Sequence, residues 1–220
     1  MSNFHMDDFM DAYFELIKDE YAVQFLETIF GYLPVDFRQT PYSYDTTNTP
    51  EVGIQSNVPF KIIATDTCGG FYCMLDDETN SIALMEHANT AGVIARNFRE
   101  FMHLLVFYTK WDSIYFFSSM DSIQKTADEI MATYREQTSA FLFRDNPYTY
   151  QSLCELLIQR LDLRIENYDI ARLFELATSD YNRYVKFFLM YDSTTGERIN
   201  LQLDPIFIRR SSVFDEQSDA

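Results

Sequence analysis

Two cysteines and two histidines are the side chains with the most evident chemical potential in this sequence. Cys68 and Cys73 flank a Gly-Gly pair with four residues between them, and His87 and His103 follow. A zinc site needs two closely spaced ligand pairs, and the two histidines are too far apart in sequence to form the second pair. We therefore expect no metal and no cofactor, and we expect Cys73 to pack in a strand as a small hydrophobic residue.

Cys68 is also the candidate nucleophile. The two amides that follow it could bind an oxyanion, and Asp66 lies two residues before it. A reactive thiolate, however, requires a histidine, an orienting acid and an electropositive setting, and the acidity of this chain opposes a thiolate. The sequence also holds no phosphate-binding glycine loop and no His-Glu-x-x-His helix. We expect a protein without catalytic residues, and a hydrolase that uses Cys68 or Asp66 stays as an alternative.

Charge limits the partners of this chain. Its 220 residues include 17 Lys and Arg against 34 Asp and Glu, a formal net charge of -17. This excess repels phosphate backbones, which excludes nucleic acid as a direct partner. Two interpretations stay open, because acidity can simply keep a protein soluble and can also steer it toward a basic partner.

The sequence carries no membrane or export signal. No apolar run approaches the roughly 20 residues that cross a bilayer. The first residues, MSNFHMDDFMDAYFELIKDE, hold acids where a signal peptide needs a basic end. Three cysteines, an odd number, favour reduced thiols over a disulfide framework. We therefore expect a soluble cytoplasmic protein with no membrane partner.

The elements that must position these residues begin with a predicted β-meander. A strand starting at Phe60 leads into Asp66-Thr67-Cys68-Gly69-Gly70, where the two glycines make a tight reversal cheap. An acidic turn, Asp76-Asp77-Glu78-Thr79-Asn80, follows the next strand. The further predicted strands are Phe71 to Leu75, Ser81 to Met85 and Gly92 to Ala95. The pattern predicts an antiparallel sheet.

A helix follows the meander. Asn97 and Glu100 form a capping-box pattern at its start, with Asn in the Ser/Thr role. Phe98, Phe101 and Leu105 then recur at helical spacing, so this helix must pack against an apolar surface.

The rest of the chain predicts more helices, a loop and a second hairpin. Asp7 to Tyr32 reads as one or two helices that end at Gly31 and Pro34. Thr40 to Pro50 is rich in turn-forming residues and predicts a loop. Helices are expected after Asp121, with Tyr184 to Tyr191 and Ile199 to Leu203 forming the hairpin.

The meander and its following helix carry a family resemblance. An aspartate before a Gly-Gly turn, a Phe-Tyr strand, an acidic turn and an Asn-Phe-x-Glu-Phe helix resemble the SUKH superfamily of immunity and cell-wall-regulator-like domains. The matching residues are Asp66, Gly69, Gly70, Phe71, Tyr72, Leu75, Ile94, Ala95, Phe98, Glu100 and Phe101. The segment from Tyr32 to Phe37 is similar to the family's Leu-Pro-x-Asp entry, without the Asn-Gly turn usual soon after it. The likeness covers roughly Phe25 to Trp111.

The resemblance and the pattern together predict an α+β fold, an antiparallel meander with helices packed on one side, enlarged by C-terminal helices and a β-hairpin. We expect residues 1–118 to form the SUKH-like domain and residues 119–220 an extension packed on it. The family residues expected to serve the fold are Asp66, Gly69, Gly70, Phe71, Tyr72, Phe98, Glu100 and Phe101.

The resemblance implies a function in binding rather than catalysis. Proteins of this kind are commonly bacterial immunity proteins that neutralise a cognate toxin, in many cases a nuclease, by binding it. The residues expected to contact such a protein are Tyr42, Tyr44, Asp45, Asp76, Asp77 and Glu78. An intracellular scaffold or regulator of the same fold, without a toxin partner, is the alternative.

Overall fold

The computed structural model describes residues 6–38, 43–44, 54–86, 90–117, 122–141, 150–164, 169–178, 184–191, 195 and 197–205. These residues contain both helices and strands, and the predicted α+β class is confirmed. The helices are α1 (Met6–Leu16), α2 (Glu20–Phe30), α3 (Phe98–Phe107), α4 (Trp111–Phe117), α5 (Ile123–Phe141), α6 (Tyr150–Arg160) and α7 (Ala171–Thr178). The strands are β1 (Tyr32–Pro34), β2 (Ser43–Tyr44), β3 (Ile54–Ser56), β4 (Phe60–Asp66), β5 (Phe71–Leu75), β6 (Ile82–Glu86), β7 (Thr90–Ala95), β8 (Phe187–Tyr191), β9 (Arg198–Gln202) and β10 (Asp204–Pro205).

The chain forms two compact units, each assembled from stretches that are distant in sequence. The first unit combines Met1–Pro34 with Arg99–Phe174, and the second combines Val35–Phe98 with Glu175–Ala220. The predicted boundary between residues 118 and 119 falls inside the first unit. Each unit therefore contains residues from both predicted domains.

In the first unit, α2 begins and ends where its local sequence dictates. The Asp19 carboxylate accepts hydrogen bonds from the amides of Tyr21 (2.9 Å) and Ala22 (3.4 Å), which caps the first turn. Gly31 ends the helix in the left-handed conformation (φ 61°), as its position in the sequence predicts.

Buried aromatic rings hold the core of the first unit. The hydroxyl groups of Tyr13 and Tyr32 are hydrogen-bonded at 2.6 Å. The Tyr32 ring lies 5.5 Å from the ring of Phe101, and all three side chains are fully or almost fully buried. Arg99 lies with its guanidinium 5.4 Å from the ring centroid of Phe9. Helices α1 and α3 are thus joined through aromatic contacts.

The end of α6 is also tied to α3. Asp162 adopts a left-handed conformation (φ 45°), and the Leu163 amide donates to the Ile158 carbonyl at 3.0 Å, which closes the helix in a Schellman motif. The Asp162 carbonyl then accepts a 2.7 Å hydrogen bond from the Arg99 guanidinium. This bond connects the C-terminal turn of α6 to the first turn of α3.

His103 makes a second link between the same segments. Its Nδ1 lies 2.8 Å from the Arg99 carbonyl oxygen, and its Nε2 accepts from the Arg164 amide at 3.2 Å. Because the amide can only donate, Nε2 carries no proton and Nδ1 is the donor. Burial lowers the pKa of His103, since the charged ring would lose its water. The ring is therefore held in its neutral form.

Because His103 is neutral in the folded protein, we expect the protein to lose stability on acidification. The folded-state pKa lies below the unfolded value of 6.5, so the unfolded chain binds this proton more readily. The contribution of the neutral His103 ring to the free energy of unfolding is complete above about pH 6.5. It falls as the pH drops toward the folded-state pKa, by at most about 1.4 kcal/mol per pH unit. Urea unfolding of the wild type and His103→Gln between pH 5 and 7.5 measures it. The stability advantage of the wild type should shrink as the pH falls, and a constant difference would contradict this assignment.

The second unit contains the predicted meander. Strands β4, β5, β6 and β7 pair antiparallel in chain order, and β10 adds to β7 in parallel orientation. β5 spans Phe71–Leu75, as predicted, whereas β7 begins at Thr90 rather than at Gly92. Ile63 is an extra residue in β4 opposite β5, which marks a β-bulge. Pro205, which lacks an amide proton, lies on the outermost strand beside β7.

A three-stranded sheet, β3-β8-β9, completes the second unit. The predicted second hairpin is confirmed as β8 and β9, which pair antiparallel. β3 adds to the other side of β8, a pairing that was not predicted. The Asn57 side chain supports this junction, because it donates to the Tyr184 carbonyl at 2.9 Å and accepts from the Lys186 amide at 2.7 Å.

One apolar cluster joins the strands of the second unit. It includes Phe60, whose ring packs edge to face against Phe187 at 6.1 Å, and Leu176 from α7. Cys73 lies in the same cluster and is fully buried, and burial raises the pKa of its thiol well above the usual value. Its predicted role as a small hydrophobic residue is the one this environment requires.

Candidate protein-binding surface

The first turn of the meander is held by the Asp66 carboxylate. Its Oδ1 accepts hydrogen bonds from the amides of Cys68 (2.6 Å) and Gly70 (2.8 Å), and the Asp66 amide donates to the Gly70 carbonyl at 3.0 Å. Gly69 has φ 90°, a conformation that favours glycine. Asp66 and the two glycines together therefore account for the reversal between β4 and β5.

The alternative of a hydrolase that uses Cys68 would require free backbone amides in this same turn. The Gly69 amide donates to the Asp66 carbonyl at 3.2 Å, and the Gly70 amide donates to the Asp66 carboxylate. These are the two amides that an oxyanion-binding nest after Cys68 would use. In this structure both are hydrogen-bonded within the turn, so neither is directed at an incoming oxyanion.

The aromatic family residues lie in the cores of their own units. Tyr72 in β5 is buried, and Phe71 beside it is half-buried. Phe98 is buried and packs edge to face against Phe37 at 6.2 Å, while Phe101 packs against Tyr32 in the first unit. Glu100 is half-buried in the first turn of α3.

The acidic turn between β5 and β6 gives its three acids different environments. Oδ1 of Asp77 accepts hydrogen bonds from the amides of Thr79 (2.9 Å) and Ser81 (3.0 Å) and lies 3.3 Å from the Thr79 hydroxyl. Asp76 and Glu78 on either side of it are exposed. Asp77 therefore shapes the turn, and its two neighbours present their charge to solvent.

Further hydrogen bonds anchor this turn to the sheet. The Asp76 amide donates to the Pro59 carbonyl at 2.7 Å, and the Leu75 amide donates to the Ser81 carbonyl at 2.8 Å. Ser81 is buried, with its hydroxyl 3.4 Å from the Arg96 carbonyl oxygen. Asn80 supplies the left-handed residue that the reversal needs (φ 54°). The exposed acids thus belong to a turn whose backbone is hydrogen-bonded to the sheet at both ends.

Strand β2 brings part of the predicted tyrosine segment to the same end of the sheet. Tyr44 pairs with Phe60 in β4, and Phe60 pairs with Leu75, the residue before the acidic turn. The backbones of Tyr44 and Leu75 are therefore two strand spacings apart, roughly 10 Å. The prediction that Thr40 to Pro50 is only a loop was wrong at Ser43 and Tyr44, because β4 offers them an edge to pair with.

The other two members of the predicted contact set, Tyr42 and Asp45, lie outside the described residues. Sequence reasoning missed Lys61, which is exposed on β4 and pairs in register with Ser43 and Met74. Its position next to buried Phe60 in an alternating strand is the signal that identifies it as outward-facing. Lys61 adds one positive charge at this end of the sheet.

All three cysteines are free thiols. Cys68 is exposed, whereas burial raises the pKa of Cys154 to about 11. Among the described residues, no three potential metal ligands come together. No helix within the same residues combines the length and the apolar character that a membrane span requires. Comparison of the chain with models of known protein families, with curated proteins and with solved structures found no match.

Proposed function

We propose that this chain is a non-catalytic binding protein that docks a basic protein partner, in the manner of bacterial immunity proteins that neutralise a cognate toxin. The observation that carries the proposal is the acidic turn of the second unit, in which Asp77 fixes the backbone and Asp76 and Glu78 are left exposed. We define Asp76–Glu78, Lys61 and the β2 strand as the docking surface.

Electrostatics supports this choice of partner. A net charge of -17 attracts a positively charged protein over long range and accelerates their encounter. The two exposed acids add a local contact that is already ordered, so binding does not have to immobilise a loose turn. A toxin whose active site binds phosphate groups would offer the matching basic cleft, and covering that cleft would inhibit it.

Cytoplasmic action is part of the proposal. Three free thiols, one of them exposed, suit a reducing compartment better than an oxidising one. A nuclease toxin threatens the cell in that compartment, and the inhibitor would have to be present there.

Neutralising the exposed acids should weaken binding mainly through the association rate. We expect Asp76→Asn with Glu78→Gln to lower the association rate constant about tenfold at low salt, and to reduce the salt dependence of binding. The control, Asp7→Asn with Asp8→Asn in α1, removes the same charge from exposed positions of the first unit. Surface plasmon resonance at two salt concentrations measures both. An equal decrease of the association rate constant in the two double variants would indicate a general effect of net charge and would count against the docking surface.

Asp77 provides a test of shape that is separate from charge. Asp77→Asn and Asp77→Ala both remove one negative charge, but only Asn keeps an oxygen that can accept from Thr79 and Ser81. We expect the Ala variant to bind at least about fivefold more weakly than the Asn variant, because the turn loses its internal acceptor. Indistinguishable affinities would show that the backbone of this turn does not matter for binding.

Co-expression tests the biological role. The chain should bind the product of a neighbouring gene in a pull-down and should rescue cells that express that product. Failure of both binding and rescue would defeat the immunity proposal. Recovery of several unrelated partners, without rescue, would favour the scaffold alternative.

A further inference from the structure

A groove in the first unit combines opposite charges with an apolar wall. It lies along α5 beside the start of α4 and has a volume of about 360 Å³. Its lining residues are Lys110, Ser113, Glu129, Ile130, Thr133 and Tyr134. The groove is shallow and largely open to solvent, and its volume, near the lower end of the range for small-molecule sites, limits it to a ligand of amino-acid size.

The aromatic wall of the groove is fixed from behind. The Tyr134 hydroxyl donates to the Ile29 carbonyl at 3.1 Å, and its ring meets the ring of Tyr150 edge to face at 5.8 Å. The Tyr150 hydroxyl is bonded in turn to Thr109 at 2.7 Å. Because the hydroxyl of Tyr134 is hydrogen-bonded and its ring packs against Tyr150, the ring does not have to be ordered when a ligand binds.

Lys110 is the cation of the groove. Its ammonium lies 4.9 Å from the ring centroid of Tyr134, and the side chain is half-buried. Among the described residues no carboxylate forms an ion pair with it, although acids outnumber bases two to one in this chain. A lysine held over a ring in this way keeps its hydrogen-bond donors available for an external anion.

Glu129 is the anion of the groove. Its carboxylate lies 3.9 Å from Lys125, and both side chains are largely exposed, so this pair contributes little energy. Glu129 can therefore exchange that partner for a ligand cation at small cost. Ile130, between Glu129 and Tyr134 in the lining, supplies apolar surface.

We infer that this groove binds a small zwitterion with an apolar body, whose carboxylate meets Lys110, whose ammonium meets Glu129, and whose body packs on Ile130 and Tyr134. This site lies in the first unit and does not depend on the docking surface of the second unit. Its ligand class follows from the one positive and the one negative side chain in the same lining.

Three probes of similar shape test the charge requirement on the unmodified protein. They are L-phenylalanine, which has both charges, phenylacetate, which has only the carboxylate, and phenethylamine, which has only the ammonium. Titration followed by amide chemical shifts should show L-phenylalanine binding about tenfold or more tightly than either relative, with shifts around residues 110–113 and 129–134. Equal binding of the three probes, or no shifts with L-phenylalanine, would overturn the inference.

Variants assign each charge to its side chain. Lys110→Met keeps an apolar chain over Tyr134 and should weaken L-phenylalanine about tenfold while leaving phenethylamine unchanged or tighter. Glu129→Gln should weaken L-phenylalanine while leaving phenylacetate unchanged or tighter. Glu136→Gln, an exposed position on the same helix outside the groove, is the control and should change nothing. If Lys110→Met and Glu129→Gln bind all three probes as the wild type does, the groove is not the site.

Discussion

Replacing Gly70 by alanine should destabilise the chain by about 3 kcal/mol, although alanine is the smallest possible change. A Cβ at this position would overlap Oδ2 of Asp66 and the main-chain carbonyl oxygen of Met85. The carbonyl belongs to β6 and cannot move without breaking the sheet. Asp66 can rotate away only by giving up its hydrogen bonds to Cys68 and Gly70. Either response costs stability.

Two neighbouring variants show whether the effect is steric. Gly69→Ala introduces a side chain where φ is 90°, which should cost about 1 to 2 kcal/mol from backbone strain. Thr67→Ala, at an exposed position of the same turn, should change stability by less than about 0.5 kcal/mol. Urea unfolding would give all three values. A Gly70→Ala variant as stable as Thr67→Ala would contradict the close approach of the Asp66 carboxylate and the Met85 carbonyl to Gly70.

Phe101→Ala should cost about 3 to 5 kcal/mol, because it removes a fully buried ring from the core of the first unit. The ring contacts Tyr32, whose hydroxyl is bonded to Tyr13, so the cavity would border a hydrogen-bonded pair that cannot easily collapse. Phe101→Leu should recover most of the loss, since it keeps much of the apolar volume.

Phe107 provides the matched control for Phe101. It belongs to the same helix but is only half-buried, so Phe107→Ala should cost distinctly less than Phe101→Ala. Thermal or urea unfolding compares the two. Equal costs would mean that α3 packs through another face than the one that carries Phe98, Phe101 and Leu105.

The local features of the fold were readable from the sequence because their causes are local. The Gly-Gly pair after Asp66 marked the first reversal, and Gly31 marked the end of α2. Alternation and turn residues located the hairpin of β8 and β9. In each case the residues that decide the conformation are neighbours in the chain.

The features that were missed depend on pairing between distant segments. Ser43 and Tyr44 become a strand only because β4 offers an edge, and β3 pairs with a strand more than 130 residues later in the chain. The division of the chain into two units, each made of stretches that are distant in sequence, follows from such contacts too, and composition along the chain does not reveal it. The periodicity of apolar residues describes one segment at a time and does not say which distant segment that segment pairs with.

The candidate surface shows the same division. Exposure of Asp76 and Glu78 follows from their place in a polar turn, which the sequence identifies. The part played by Asp77 could not be foreseen, because an aspartate that binds the amides of Thr79 and Ser81 looks the same in sequence as one that faces water. The charge pair of the groove, Lys110 and Glu129, required the packing of α5 to become visible.

Amide hydrogen exchange in the presence of the neighbouring gene's product is the most direct measurement of the proposed binding. Binding at the docking surface should slow exchange at 60–62, at the start of β4, and at 75–81, in and around the acidic turn, with α1 and α2 unchanged. Protection confined to Met6–Leu16 and Glu20–Phe30, or complex formation that leaves the acidic turn exchanging as in the free protein, would contradict it.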